Sequence, residues 1–228
     1  MNRPQTLGEW QEMFDSIYGK HNASYTVSDI LLHLIEEMGE IAEELRKENT
    51  PEVILKLPDI FAWLLSFCNA CEPTAVDLEK AIRNKYPGVC PYCFAADTCT
   101  CIANAEPKPT YKSNSRMLEP FRNAAKEGLT LDEWQGLFAR IYGRVNKIKT
   151  QMQLWLHLWE EIGELSKAFR IGRPDLEEEV ADVFAWLIGI SNKLFIFLAN
   201  VTWNAYPGRC RKCSQKECQC QTITEREV

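Results

Sequence analysis

The chain has 228 residues, a formal charge of −6 and 46% hydrophobic side chains. The acidic balance excludes a protein built to grip a phosphate backbone, which is normally basic, so nucleic acid is not expected as a partner. The apolar fraction is ample for a packed core, and the length allows one domain or two.

The opening Met1-Asn2-Arg3-Pro4-Gln5-Thr6 has no apolar core of a signal peptide. The apolar run Val183 to Trp203 is interrupted by Ser191-Asn192-Lys193 and holds Asn200, so it reads as two buried half-segments rather than a membrane span. A cytoplasmic, membrane-free protein is the expectation.

Taken in order, the chain writes one module twice. Aligned without gaps, Thr6 to Arg46 and Thr130 to Arg170 agree at 19 of 41 positions, which marks a duplication. Two copies are too few for a solenoid. A fused pseudo-dimer that buries a shared face fits better, with a further homodimer left open.

The first helix of each copy opens with a capping box, Thr6 with Glu9 and Thr130 with Glu133. Trp10, Phe14, Ile17 and Tyr18 follow at helical spacing, matched by Trp134, Phe138, Ile141 and Tyr142. They read as core, with stacking on a base as the sharper alternative. Gly19 and Gly143 are the expected stops.

The second helix spans roughly Ser28 to Lys47, and Gln151 to Arg170. It carries His33, Glu36, Glu37 and Glu40, matched by His157, Glu160, Glu161 and Glu164. Residues three apart share a helix face, so Glu161 and Glu164 point together. Each His is either structural or orients a carboxylate. Gly39 and Gly163 cost about 1 kcal/mol each inside a helix, which a close helix crossing would explain.

The third helix of copy two starts at Pro174-Asp175 and carries Glu179 and Asp182 on one face. With Glu161 and Glu164 they make four acids whose repulsion a hard cation, Mg²⁺ or Mn²⁺, would relieve. The plainer reading is a solvated acidic face. In copy one, Lys56 stands where Glu179 stands and Pro58 where Ala181 stands, with Asp59 kept. Glu36, Glu37, Glu40, Lys56 and Asp59 therefore read as a degenerate site with an internal counter-ion.

A fourth helix is expected over Thr74 to Tyr86 and about Lys193 to Tyr206. Lys80, Arg83 and Lys85 lie on the first of these. They form either a solvated face or a grip on phosphates at a shared cleft.

Each copy ends in C-x₂-C then C-x-C: Cys90, Cys93, Cys99, Cys101 and Cys210, Cys213, Cys218, Cys220. Four thiolates suit structural Zn²⁺, two ions per chain. An iron–sulfur cluster is the competitor. Cys68 and Cys71 read as core residues. Residues 102–129 read as an exposed linker with a short helix near Leu118 to Lys126, and residues 221–228 as a frayed tail.

Glu160-Glu161-Ile162-Gly163-Glu164 and Glu179-Val180-Ala181-Asp182 resemble the EExxE and ExxD motifs of the MazG-type all-α nucleoside triphosphate pyrophosphohydrolases. Copy one has Glu36-Glu37-Met38-Gly39-Glu40 but only Asp59 of the second motif. The resemblance implies an all-α protein of two tandem MazG-like modules, residues 1–101 and 130–220, as a pseudo-dimeric bundle with a four-cysteine tail on each. It implies Mg²⁺ on Glu161, Glu164, Glu179 and Asp182, and Glu160 placing the attacking water. The implied reaction turns a (deoxy)nucleoside triphosphate into monophosphate and diphosphate. The alternative is a catalytically impaired nucleotide-binding or interaction scaffold held by zinc.

Overall fold

The computed structural model describes residues 2–71, 73, 75–101 and 114–221. Among the described residues the chain is helical and contains no strand. The first copy supplies α1 (Leu7–Asn22), α2 (Val27–Arg46), α3 (Thr50–Ala70) and α4 (Leu78–Lys85). A short 3₁₀ turn, Ser115–Leu118, leads into α5 (Glu119–Ala124). The second copy supplies α6 (Leu131–Ile148), α7 (Gln151–Ile171), α8 (Leu176–Lys193) and α9 (Leu198–Ala205).

Local chemistry sets the helix starts. Thr6, Thr26, Thr130 and Thr150 each close a reciprocal capping box with the residue three further on. Each box satisfies two amides that a helix start otherwise leaves open. Helix ends depart from expectation. α1 runs through Gly19 to Asn22, and α6 through Gly143 to Ile148. A glycine costs about 1 kcal/mol in a helix, too little to end one whose apolar face is packed. The left-handed stop is instead Gly172, at φ 63°, closing α7. α3 continues through Pro58, and its most apolar stretch is 67% buried, so it is a core helix. The expected fourth helices are shorter than read: α4 begins at Leu78, and Lys193 closes α8 rather than opening α9.

The chain forms two compact units, residues 1–78 with 198–228, and residues 79–197. These cut the chain differently from the repeats. Each unit joins the first three helices of one copy to the fourth helix and cysteine tail of the other. In the first unit α9 packs on α3, Tyr206 meets Phe14 with ring centroids 5.2 Å apart, and the Cys218 amide donates to the Ile17 carbonyl at 2.7 Å. In the second unit Tyr86 meets Phe138 at 5.2 Å, and the Cys99 amide donates to the Ile141 carbonyl at 2.8 Å. Phe14 and Ile17 align with Phe138 and Ile141 in the repeat, so both exchanged tails dock by the same contacts.

The core of the first unit is built on Trp10, Phe14, Leu34 and Phe61, all fully buried. The matching core of the second holds Trp134, Phe138, Trp155 and Phe184. The aromatic stripes of α1 and α6 are thus core. The stretch read as an exposed linker differs at its end. Asn114 is buried and donates to the carbonyls of Pro91 and Tyr92, at 2.9 and 3.3 Å. Leu118 is fully buried, because the 3₁₀ turn and α5 supply an apolar contact and amide donors the cysteine loop lacks. Pro107, Pro109 and Ser113, and residues 222–228, lie outside the described residues.

Gly39 and Gly163 sit at no close crossing: a Cβ at either would meet nothing within 4 Å. The tight approach is at Gly189, where a Cβ would lie 3.0 Å from Asn146 Nδ2. Gly39→Ala and Gly163→Ala should therefore each raise stability by about 1 kcal/mol through the helix interior preference; urea unfolding showing a loss would restore the crossing. The exchange also makes the halves interdependent. Co-expressed as two chains cut before Lys108, they should co-purify. Two independently folded monomers would refute the exchange.

Candidate active site

In the second unit, the one-turn spacing on α7 and the facing stretch of α8 bring ligand oxygens of Glu161, Glu164 and Glu179 within 4.8 Å of one another. Glu179 is buried, Glu161 half-buried and Glu164 exposed. The environment makes their charges costly. Burial and the nearby Asp182 push the Glu161 carboxyl up to about 8 and that of Glu179 up to about 7. Three oxygens converging at such a cost fit a hard divalent cation, which Glu161, Glu164 and Glu179 would hold.

Asp182 is placed differently from the expected quartet. It is 8% exposed, and its carboxylate accepts from the Lys85 ammonium and the Tyr86 hydroxyl. Burial raises its pKa even so, ahead of the opposing pull of Lys85. Lys85 is 4% exposed, so it is no solvated charge. Sequence reasoning had placed this lysine with the defective acid set, because it assigned α4 to its own copy. Lys80 and Arg83 differ: Arg83 pairs with Glu127. Arg173 was missed altogether. It lies in the turn before α8, pairs with Asp175, and donates to Glu179 at 3.3 Å. Its position six residues before Glu179 was the available signal.

Glu160 is not among the acids whose oxygens converge. It is exposed and accepts from His157 Nδ1 at 2.9 Å. Lys149 donates to His157 Nε2 at 3.0 Å, which leaves the imidazole proton on Nδ1. The His157 ring stacks on Trp186, with centroids 4.3 Å apart and planes 15° from parallel. Trp186 Nε1 in turn donates to Glu161 at 3.0 Å. A pocket of about 250 Å³ opens here. Tyr86, Phe138, His157 and Trp186 form its aromatic walls, and Glu161 and Asp182 stand at one end. Trp134 and Trp155 are fully buried, and Trp159 packs on Trp155.

In the first unit the matching acids meet protein cations. Lys56 pairs with Glu40 and lies 3.9 Å from Glu37. Asp59 accepts two bonds from Arg211 Nη1, at 2.7 and 2.6 Å, and one from Tyr206. His33 repeats the stack, on Trp63 at 4.5 Å, and bonds Glu36 at 2.8 Å. Burial and Asp59 push Glu37 up to about 7. Among the described residues, the groups able to hold a metal are the three glutamates of the second unit and the two cysteine quartets.

The cysteines are free thiols whose sulfur atoms approach each other at 3.6 to 3.8 Å for Cys90, Cys93, Cys99 and Cys101. Tetrahedral zinc with metal–sulfur bonds of about 2.3 Å has sulfur–sulfur edges of about 3.8 Å. In each C-x₂-C loop the chain turns back at a positive φ, 58° at Phe94 and 59° at Ser214. The first cysteine's carbonyl there accepts from that residue's amide at 2.8 Å. The Cys90 thiol is held down to about 5, chiefly by its bond to Cys99, and Cys213 to about 6 by the Gln219 amide. Thiols so poised are metal donors.

Residues 25–94 match the MazG nucleotide pyrophosphohydrolase domain, and the all-helical fold is consistent with that match. That match lies on copy one, and the repeat carries the likeness to copy two. No curated protein and no solved structure matches the chain. Metal analysis of purified protein should return two zinc per chain, and Cys93→Ser or Cys213→Ser should each remove one. Iron with visible absorbance, or a value near zero, would exclude zinc sites.

Proposed function

We propose that the chain is a divalent-cation-dependent nucleoside triphosphate pyrophosphohydrolase whose working site is the acid group of the second unit. The observation that carries this reading is the convergence of Glu161, Glu164 and Glu179 beside an aromatic pocket. The reaction puts a water oxygen on phosphorus at the α–β bridge and releases monophosphate and diphosphate.

Glu161, Glu164 and Glu179 would hold the magnesium ion, which when bound would neutralise charge at the phosphates and make a water more acidic. The chain's own residues do the rest. Trp186 fixes Glu161 through its indole N–H. Tyr86, Phe138 and the His157–Trp186 stack receive the flat, apolar nucleoside. Lys85 and Arg173, each already bonded to an acid of the site, stand where phosphate charge would accumulate. Glu160, held by the protonated Nδ1 of His157, is the carboxylate left to accept the water's proton. Phosphoryl chemistry asks chiefly for such placement and charge.

The first unit reads as the impaired twin, since Lys56 and Arg211 already neutralise its acids. The competing reading is a nucleotide-binding scaffold without turnover, favoured by the Lys85–Asp182 pair. A panel of nucleoside triphosphates with Mg²⁺, assayed for diphosphate, separates them. Glu164→Ala should lower kcat/KM at least 100-fold, and Glu40→Ala should leave it within about twofold, since removing one metal ligand costs several kcal/mol of charge stabilisation. Nucleotide binding without diphosphate release would favour the scaffold. Equal loss in both variants would overturn the assignment to the second unit.

A further inference from the structure

One wall of the pocket in the second unit is not made by helices. Cys90, Cys99 and Cys101 line it alongside Tyr86, and so does Tyr92, which lies inside the C-x₂-C loop. Tyr92 shares the pocket lining with Asp182 and Glu161. The module is seated on α6: Cys90 and Cys99 pack with Ile141, flanked by Leu137, Tyr142 and Val145. Tyr142 also lines the pocket. Its hydroxyl is buried beside the Cys90 thiol.

The twin shows what a filled version looks like. In the first unit the matching Tyr18 hydroxyl accepts from the Arg211 amide at 3.3 Å, and the Arg211 side chain reaches Asp59. The second unit has Pro91 at the place of Arg211, with neither an amide N–H nor a guanidinium to offer. Its tyrosine has no such amide to accept from, and its acid end is free of that side chain.

Short polar loops of this kind carry little core, so bound metal supplies much of their folding free energy. Without metal, the described contacts that hold Tyr92 and the sulfur wall in place are those to α6, the Asn114 bonds and the Phe94–Phe121 stack. We propose that the Cys90–Cys101 module is the nucleoside-side wall of the acidic site, so that zinc bound to it sets the site's affinity for nucleotide. This rests on the nucleotide reading above. The second quartet, in the first unit, has no such role.

The test uses the full chain and a non-hydrolysable nucleoside triphosphate with Mg²⁺, read by calorimetry. Cys93→Ser should lose one zinc and weaken the Kd at least tenfold; Cys213→Ser should lose the other and stay within threefold. Tyr92→Ala keeps all eight cysteines, so it should retain both zinc ions and still weaken binding about tenfold. That variant guards against a folding defect in the first. With cobalt in place of zinc in the Cys213→Ser chain, nucleotide should shift the thiolate–cobalt absorption. If the parent chain binds nucleotide and Cys93→Ser and Tyr92→Ala bind equally well, or the cobalt band does not move, the inference fails while the nucleotide reading stands. If the parent binds no nucleotide at all, the nucleotide reading fails and takes this one with it.

Discussion

Each unit is organised around one buried aspartate that cannot be left alone. Asp59 on α3 and Asp182 on α8 occupy the same place in the repeat, at 7% and 8% exposure. Taking an isolated carboxylate out of water costs several kcal/mol even after relaxation. Neither helix set that carries the aspartate brings the cation that answers it. The answer arrives on the exchanged tail: Tyr206 and Arg211 for Asp59, Tyr86 and Lys85 for Asp182. A tail that failed to cross would leave two acids uncompensated and two aromatic cores open at Phe14 and Phe138. The exchange is therefore enforced by electrostatics and packing together.

The two copies solve this problem with different residues. The tyrosines are equivalent in the repeat, but the cations are not. Lys85 closes α4, and its counterpart is Ala205; Arg211 sits between two cysteines, and its counterpart is Pro91. In the first unit a second lysine, Lys56, also replaces the glutamate of the acid motif. Protein cations thus fill one site completely. In the other, Lys85 answers Asp182 and Arg173 reaches Glu179, while the oxygens of Glu161, Glu164 and Glu179 remain gathered and burial raises the pKa values of Glu161 and Glu179. That surplus of negative charge, rather than the motif as a string of letters, distinguishes a site prepared for a cation from a surface that happens to be acidic.

The parts of this arrangement that local rules govern were legible in the sequence: the duplication, the capping boxes that open α1 and α6, the aromatic stripes and the spacing of the acids. So was Lys56 as an internal counter-ion. What was not legible depends on which segment meets which. A repeat invites the assumption that each copy folds on itself, and under it Lys85 belonged with Lys56 and the acids of the second copy lacked a lysine. Helix periodicity shows that Leu78, Ala81 and Ile82 form a buried face, but not whose core they enter. The glycines misled for a related reason. Gly39 and Gly163 recur beside the acids, which suggested a crossing, yet the close approach belongs to Gly189, whose counterpart Ser66 removed the signal from the repeat.

The tail's chemistry follows from the same constraint. A helix of eight residues such as α4 or α9 is too short to stand unaided, yet it must present a tyrosine, and in one case a lysine, to a buried acid with little positional error. Anchoring it downstream meets that need. Tyr86-Pro87-Gly88 turns the chain at φ 85°, a conformation glycine adopts without strain, and the cysteine module then fixes the turn to α6 through the Cys99 amide and the Ile141 carbonyl. The helix is held at both ends, by its own apolar face and by the module beyond it. A loop of four converging cysteines supplies that second hold with about a dozen residues and almost no core. It also leaves the loop free to carry side chains into the pocket, which a packed helix in the same place could not do without burying them.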